Sequence, residues 1–113
     1  MQYQTEERGT VHIFAIHEKR IDSRVAPDLK KELLLLLQNQ PPNILIDLGA
    51  VEYIDSSGLG AILLGIRQSR ENGGDIKLAN LNSRVLSLIK IAKLDDVIES
   101  YDNLDEAVSS FNG

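Results

Sequence analysis

The chain has 113 residues, of which 42% are apolar and 26% charged, and its formal net charge is −5. This length fits one domain spanning residues 1–113, and the composition is typical of a folded chain and not of a disordered one. The excess of acidic residues, 17 against 12 basic ones, argues against direct nucleic-acid binding, which needs a basic face to replace phosphate counterions. With no cysteine and two histidines, the chain excludes disulfides and thiolate metal sites, and a histidine-rich metal site is not expected.

No apolar run approaches the length of a membrane span, and residues 1–8 are polar and mildly acidic, unlike a signal peptide. We therefore expect a cytoplasmic protein that makes no membrane contact. The basic and acidic residues alternate along the chain, which indicates a solvated surface and not a patch that steers ligands.

The N-terminal third predicts a hairpin followed by a helix. Residues 2–6 are a weak candidate for a strand, and residues 11–16 are a stronger candidate because they are apolar at nearly every position. Ser23 is a candidate cap of the helix, and Pro27 falls in its first turn. A stripe at the helical period predicts its buried face: Val25, Leu29, Leu33, Leu36 and Leu37. Two leucines outside the stripe are expected to be partly exposed or to contact another element: Leu34 and Leu35.

The middle of the chain predicts a strand, a turn and a helix. Residues 44–48 are apolar apart from Asp47, as expected for a parallel strand covered on both faces. The helix that follows runs to about Asn72, and the glycines in residues 72–75 suit a left-handed cap. Four residues predict its core stripe: Leu59, Ile62, Leu63 and Ile66. Leu64 lies about 150° from the centre of that stripe, so it is either an exposed contact or covered by a neighbouring segment.

The last third predicts two further strand–helix units. Residues 76–79 form a strand, Asn82 or Ser83 caps the third helix, residues 97–101 form the last strand, and Asn103 caps the final helix. The inward residues of the two helices are Val85, Leu88, Ile89, Ala92, Leu104, Ala107, Val108 and Phe111. The order β-β-α-β-α-β-α-β-α predicts an α/β domain with a mixed, mainly parallel sheet and right-handed crossovers.

The turn that begins at Asp55 combines two serines and two glycines between a buried strand and a helix. The side chains of Asp55, Ser56 or Ser57 can cap the helix. Gly58 and Gly60 have no side chain to block a molecule that approaches this end. The structural interpretation is an ordinary N-cap followed by close packing, and the functional interpretation is an exposed binding surface.

The glycines do not belong to a known phosphate or nucleophile motif. Residues 60–65 have the spacing of a phosphate-binding loop, but no Lys-Ser/Thr follows them. Leu63 stands where the dinucleotide fingerprint needs its third glycine, and residues 54–58 lack the first glycine of a nucleophile elbow. Nothing in the sequence brings His12 or His17 to the serines, and the opening hairpin is wrong for a response-regulator receiver. We therefore expect no enzymatic activity, no catalytic residues and no cofactor.

An exposed serine pair at a helix start suits a surface that binds and is modified. Phosphorylation adds about −1.5 to −2 charges, and a helix N-terminus stabilises negative charge by roughly 0.3–1 kcal/mol. A like charge placed across an interface costs several kcal/mol, which corresponds to a loss of affinity of about a hundredfold or more. The sequence therefore predicts a switch on binding that leaves the fold intact.

Over nearly its whole length the chain resembles a STAS domain, specifically a bacterial anti-sigma factor antagonist. The Asp-Ser-Ser-Gly-Leu-Gly turn at residues 55–60 carries the resemblance, together with the strand at residues 44–48. Further matches are residues 21–23, 26–29, 51–54, 73–74 and 94–98. The resemblance implies a STAS-like single domain, a small mixed and mostly parallel β-sheet with about four helices mainly on one side.

The resemblance also implies a function. The serine directly after the aspartate, here Ser56, is phosphorylated by a partner that is both anti-sigma factor and serine kinase, with Ser57 as the alternative. The unmodified antagonist binds that partner and releases the sigma factor, and the phosphorylated form dissociates until a serine phosphatase resets it. The residues implied in partner binding are Asp22, Ser23, Asp55, Ser57, Gly58, Leu59 and Gly60. Leu64 is added from the helical period, and the free chain is expected to be monomeric.

One departure from the family and two alternatives stay open. The family often has a glycine shortly before the position of Asp22, whereas residues 17–21 here hold none, so the local turn is expected to differ. The first alternative is a STAS module that is never phosphorylated, such as a stress-complex scaffold or the partner of a lipid-transport ATPase. The second is a weak nucleotide hydrolase, which the missing lysine and magnesium carboxylates disfavour.

Overall fold

The computed structural model describes residues 1–112. The elements in chain order are β1 (Tyr3–Arg8), β2 (Val11–Ile16), β3 (Arg20–Ile21), α1 (Ala26–Leu36), β4 (Asn43–Asp47), β5 (Tyr53–Ile54), α2 (Ser56–Glu71), β6 (Asp75–Ala79), α3 (Ser83–Ile91), β7 (Ser100–Tyr101) and α4 (Leu104–Ser110). No helix in this part of the chain is both long enough and apolar enough to cross a bilayer.

The main sheet has five strands in the order β1-β2-β4-β6-β7. The β1–β2 hairpin is antiparallel, and the other three pairings are parallel. Parallel neighbours need long crossover connections, and α1, α2 and α3 lie in those connections. The prediction of a mixed, mainly parallel sheet is therefore confirmed.

The sheet has an apolar layer on each face because alternate residues of a strand point to opposite sides. Ile44 and Ile46 of β4 join the larger core with residues of α1, α2 and α3, whereas Leu45 between them joins a smaller core with Ala107 of α4. Three helices therefore cover one face and one helix covers the other. This agrees with the expected arrangement of helices mainly on one side.

The helical stripes read from the sequence mostly form the larger core. Leu29 and Leu33 of α1 are fully buried, as are Ile62 and Ile66 of α2. Leu63, the remaining member of the α2 stripe beside Leu59, is only half-buried against the core. The two leucines expected outside the α1 stripe are exposed, Leu34 by 39% and Leu35 by 51%.

The predicted cap of α1 is wrong. The N-cap position is Val25 and not Ser23, and no side chain caps this helix. The helix starts instead from a backbone turn, in which the carbonyl of Asp22 accepts hydrogen bonds from the amides of Val25 (3.0 Å) and Ala26 (2.8 Å). Ser23 therefore stays exposed on the surface, while Pro27 occupies the first turn as predicted.

Two further expectations fail at the end of α3. Ala92 is exposed and not inward, because Lys93 adopts the left-handed conformation (φ 59°) and the chain folds back. The amide of Leu94 then donates to the carbonyl of Ile89 (3.0 Å), as in a Schellman C-cap, and Leu94 packs on the core in place of Ala92. A turn follows, in which the amide of Val97 donates to the carbonyl of Leu94. Strand β7 therefore begins only at Ser100 and is shorter than the strand predicted for residues 97–101.

Helix α4 is tied to the opposite face of the sheet by a buried lysine. Lys77 of β6 is 7% exposed, and its ammonium donates to the carbonyl (3.1 Å) and hydroxyl (2.9 Å) oxygens of Ser110. It also pairs with Glu99 at 3.3 Å and lies 4.6 Å from the centre of the Phe111 ring. These contacts satisfy a charge that would otherwise be costly to bury.

Candidate functional site

A second, two-stranded sheet, which the sequence does not predict, positions the serine turn. Strands β3 and β5 pair in parallel, with Arg20 opposite Tyr53 and Ile21 opposite Ile54. The ladder continues one residue further, because the amide of Asp55 donates to the carbonyl of Ile21 at 3.0 Å. The carboxyl ends of parallel strands meet at one edge, so the segment after β3 lies beside the segment after β5.

Asp55 caps α2 from that edge. Its backbone is extended, and its Oδ1 atom accepts hydrogen bonds from the amides of Ser57 (2.9 Å) and Gly58 (3.1 Å) and from the Ser57 hydroxyl (2.5 Å). The bond from the Ser57 hydroxyl is the main reason that the pKa of Asp55 lies below the ordinary value of an aspartate, and the two amides add to it. Partial desolvation and the charge of Asp22 oppose that shift.

The two serines have different environments. Ser56 occupies the first position of α2 and is exposed, and no hydrogen bond within residues 1–112 engages its hydroxyl. Ser57 is also exposed, but its hydroxyl already donates to Asp55. The hydroxyl of Ser56 is thus free among the described residues, whereas the hydroxyl of Ser57 is part of the cap.

Gly58 and Leu59 lie beneath the turn and not on its surface. Both residues are buried, and Leu59 belongs to the larger core. A Cβ atom on Gly58 would lie 2.7 Å from Cγ2 of Ile21, 2.8 Å from Cγ1 of Ile54 and 2.9 Å from the Ile21 carbonyl oxygen. The glycine therefore lets α2 pack directly against the β3–β5 pair. The sequence analysis placed both residues in partner binding. In the structure they are buried and support the turn from the core side.

An open groove of about 430 Å³ separates the starts of α1 and α2. Four residues predicted from the sequence line it, from both helices and the turn before α1: Ser23, Ser57, Gly60 and Leu64. Leu64 is half-buried in the groove wall. Its side chain is therefore accessible from the groove and also partly covered by neighbouring segments. The structure adds residues of α1 that the sequence analysis missed: Ala26, Pro27 and Lys30. Their spacing along one face of the helix was the sequence signal that could have identified them.

Asp22 stands beside this groove with its carboxylate already engaged. Its oxygens accept from the amide of Arg24 (3.0 Å) and from the guanidinium of Arg24 (3.1 Å), and its side chain is 18% exposed. The hydrogen bonds from Arg24 hold the pKa of Asp22 below its usual value. Asp22 and Asp55 are close enough for the charge of one to affect the other, although the ion pair with Arg24 balances the charge of Asp22.

The histidines lie away from the serine turn, and the described residues offer no metal cluster. His12 contacts Glu7 at 3.3 Å and His17 contacts Gln4 at 3.3 Å, both across the β1–β2 hairpin. Within residues 1–112 no group of three or more histidine or acidic side chains is arranged to hold a metal ion. The site consists of an exposed serine, a capped helix start and a groove, which together suit recognition of another protein.

The profile of the STAS domain family matches residues 2–107 of this chain. The chain belongs to the STAS family. A curated relative of this STAS domain is the anti-sigma-B factor antagonist of Listeria monocytogenes, which is 33% identical over 94 residues that cover 83% of this chain and 82% of the relative.

Solved structures share the fold of this STAS domain. An anti-sigma factor antagonist from Mycobacterium paratuberculosis superposes with a TM-score of 0.88 at 23% identity, covering 99% of this chain and 94% of that one. The anti-sigma factor antagonist SpoIIAA, in its unphosphorylated form, has a TM-score of 0.80 at 18% identity, and the match covers 99% of this chain and 97% of that one. A structure of SpoIIAA in its phosphorylated form also matches, with a TM-score of 0.71 at 16% identity, covering 96% of this chain and 98% of its own.

The cap of α2 leads to a prediction about stability and pH. Removing the carboxylate in Asp55→Ala is expected to cost about 1 kcal/mol of unfolding free energy, the usual loss for an N-cap. Asp55→Asn keeps a capping oxygen but not the charge. Because the pKa of Asp55 is lower in the folded STAS domain than in the unfolded chain, the ionised carboxylate stabilises the fold above the unfolded pKa, and this contribution is lost as pH falls through the folded pKa.

Urea unfolding of the wild type and Asp55→Asn from neutral to acidic pH measures this contribution. The wild type is expected to be the more stable at neutral pH, and the difference is expected to shrink as Asp55 becomes protonated. A difference that stays constant over the whole range would show that the charge of Asp55 does not contribute to the cap.

Proposed function

We propose that this STAS domain is an anti-sigma factor antagonist whose binding surface is switched by phosphorylation of Ser56. The unmodified chain binds a cytoplasmic partner that is both anti-sigma factor and serine kinase, and the sigma factor is released. The phosphorylated chain dissociates, and a serine phosphatase restores it. The observation that carries the proposal is the exposed Ser56 hydroxyl, which is free of hydrogen bonds within residues 1–112 and precedes the groove-lining Ser57.

The geometry favours Ser56 over Ser57 as the phosphorylation site. A kinase must reach a hydroxyl oxygen, and the Ser56 hydroxyl is exposed at the first position of α2. Modification of Ser57 would break its hydrogen bond to Asp55 and would place a phosphate directly against that carboxylate. Ser56 can be modified without loss of the cap.

A phosphate on Ser56 changes the surface and leaves the helix in place. The orphan amides and the dipole at a helix N-terminus favour an added negative charge. The same charge would stand at the edge of the groove between α1 and α2, next to the carboxylate of Asp55. Any partner that fits the unmodified surface would then meet an extra charge of about −2.

The names of similar proteins support the proposal. Curated relatives that cover most of this chain are called anti-sigma factor antagonists. The structural neighbour SpoIIAA, an antagonist of the same fold, is known in both unphosphorylated and phosphorylated forms. A fold that accommodates a phosphorylated state is what the switch at Ser56 requires.

Phosphorylation with a defined partner tests the proposal. The wild-type chain is used to capture its partner from the cytoplasm of its source, and the purified partner is then incubated with the chain, Mg²⁺ and ATP. Intact-mass analysis is expected to show one phosphoryl group on the wild type and on Ser57→Ala, and none on Ser56→Ala. Both substitutions remove an exposed hydroxyl, so each is the control for the other.

If phosphorylation is lost only in Ser57→Ala, the phosphorylated residue is Ser57 and not Ser56. A captured partner that lacks kinase activity, together with an unmodified wild-type chain, would contradict the switch. It would support a STAS scaffold that is never phosphorylated.

A further inference from the structure

Two arginines and a tyrosine form an exposed cluster next to the serine turn. The guanidinium carbon of Arg20 on β3 lies 4.6 Å from the centre of the Tyr53 ring on β5, and that of Arg84 on α3 lies 5.5 Å from the same ring. Both arginines are exposed and the tyrosine is half-buried. We call these three residues the arginine–tyrosine cluster.

The positive charges of the cluster are not neutralised within the described chain. Among residues 1–112, no side-chain ion pair involves Arg20 or Arg84, although the chain carries more acidic than basic residues. Arg24, a few residues from Arg20, is by contrast paired with Asp22 at 3.1 Å. Contact with an aromatic face stabilises an exposed guanidinium only modestly, so the two like charges remain available to an external anion.

The cluster is continuous with the proposed binding surface. Arg20 and Tyr53 are register partners in the parallel β3–β5 pair. Asp22 and Asp55 follow two residues later in the same two segments, and Ser56 comes directly after Asp55. The arginine–tyrosine cluster therefore lies within a few residues of the proposed phosphorylation site.

We infer that the arginine–tyrosine cluster binds carboxylates of an acidic segment on the same partner protein. This inference rests on the proposed function and adds a partner-selecting contact to it. Guanidinium groups bind carboxylates in a bidentate geometry, and tyrosine and arginine are enriched among the residues that dominate binding energy. A positive cluster at one end of the binding surface favours one orientation of the partner and rejects partners that present positive charge there.

The test measures the affinity of the purified anti-sigma factor kinase, without nucleotide, for variants of the full chain. The double variant Arg20→Ala/Arg84→Ala is expected to bind roughly tenfold or more weakly, with a smaller salt dependence than the wild type. Arg20→Glu/Arg84→Glu is expected to bind more weakly still. Arg20→Lys/Arg84→Lys keeps the charge but loses the bidentate geometry, and its affinity is expected to lie between those of the wild type and the alanine variant.

Arg67→Ala/Lys90→Ala is the matched control, because it removes two exposed positive charges from other parts of α2 and α3. Thermal unfolding of every variant checks that the β3–β5 pair still forms. If the control loses as much affinity as the cluster variant, the effect is one of net charge and the inference is wrong.

Other outcomes separate this inference from the proposed function. If Ser56→Asp abolishes binding but the cluster variant binds like the wild type, the inference fails and the proposed function stands. If the cluster variant is weak only towards an ATP-loaded partner, the cluster contacts nucleotide phosphates and the assignment to carboxylates is wrong. If the wild type binds no anti-sigma factor, both fail.

Discussion

Replacing Ser56 by aspartate is expected to lower the affinity for the anti-sigma factor partner by about a hundredfold or more, with little change in the melting temperature. The added charge lies at the first position of α2, where the helix dipole favours it. Across the interface the same charge costs several kcal/mol. Calorimetric titration of the purified partner measures the first effect, and thermal unfolding measures the second. Ser56→Ala is expected to bind the partner even in the presence of ATP, because residue 56 can no longer be phosphorylated.

Two controls separate the position of this charge from its presence. Ser83 is an exposed serine at the first position of α3, directly after the Asn82 cap, so Ser83→Asp reproduces the helix environment and controls for stability. Ser109 is exposed on α4, on the opposite face of the sheet, so Ser109→Asp controls for the net charge in the binding experiment. If Ser56→Asp alone lowers the melting temperature by many degrees, the fold does not tolerate a phosphate at this helix start.

Gly58→Ala is expected to destabilise the fold by about 1–3 kcal/mol, the range for an overpacked interior. The new methyl group would lie within 3.0 Å of two isoleucine side chains and of the Ile21 carbonyl oxygen. The backbone oxygen cannot rotate away, so α2 must shift from the β3–β5 pair. For a domain of this size each kcal/mol lowers the melting temperature by about 4–8 °C, which scanning calorimetry resolves.

Gly60→Ala is the matched control for this substitution. It lies two residues further along the same helix, and a Cβ atom there would meet no other atom within 4 Å. Alanine is the better helix former, so the variant is expected to gain up to about 1 kcal/mol of stability. If Gly58→Ala is as stable as Gly60→Ala, the close approach of α2 to the β3–β5 pair does not constrain the turn.

If the arginine–tyrosine cluster selects the partner as inferred, its residues can vary without loss of the fold. The cap by Asp55 and the close packing of Gly58 support the fold, because Asp55 accepts hydrogen bonds from the first amides of α2 and Gly58 lets that helix approach the β3–β5 pair. Arg20, Arg84 and the groove-lining Lys30 are all exposed. Substitution at these exposed positions is therefore expected to change which partner binds and to leave the proposed switch at Ser56 in place.

The amino-acid sequence by itself determined the long elements and the turn between them. Residues 11–16 are apolar except for His12, residues 44–48 are apolar except for Asp47, and the strands found there have buried residues on both faces. The helical stripe through Leu29 and Leu33 likewise predicted the buried face of α1. The sequence limited the cap of α2 to Asp55, Ser56 or Ser57, because capping depends on residues within one turn of each other in the chain. Periodicity over many residues and local hydrogen bonds can be read without the fold.

Only the tertiary structure decided what lies beside that turn. Strands β3 and β5 have two residues each, too few to show any period, and their pairing joins segments more than 30 residues apart in the chain. That pairing brings Asp22 to Asp55, places Arg20 on the ring of Tyr53, and leaves Gly58 no space for a side chain. The start of α1 was misassigned to Ser23 for a different reason. The carbonyl of Asp22 accepts the first amides of this helix, and a backbone acceptor leaves no signal in the residue types, whereas the contacts around the turn depend on which segments the fold brings together.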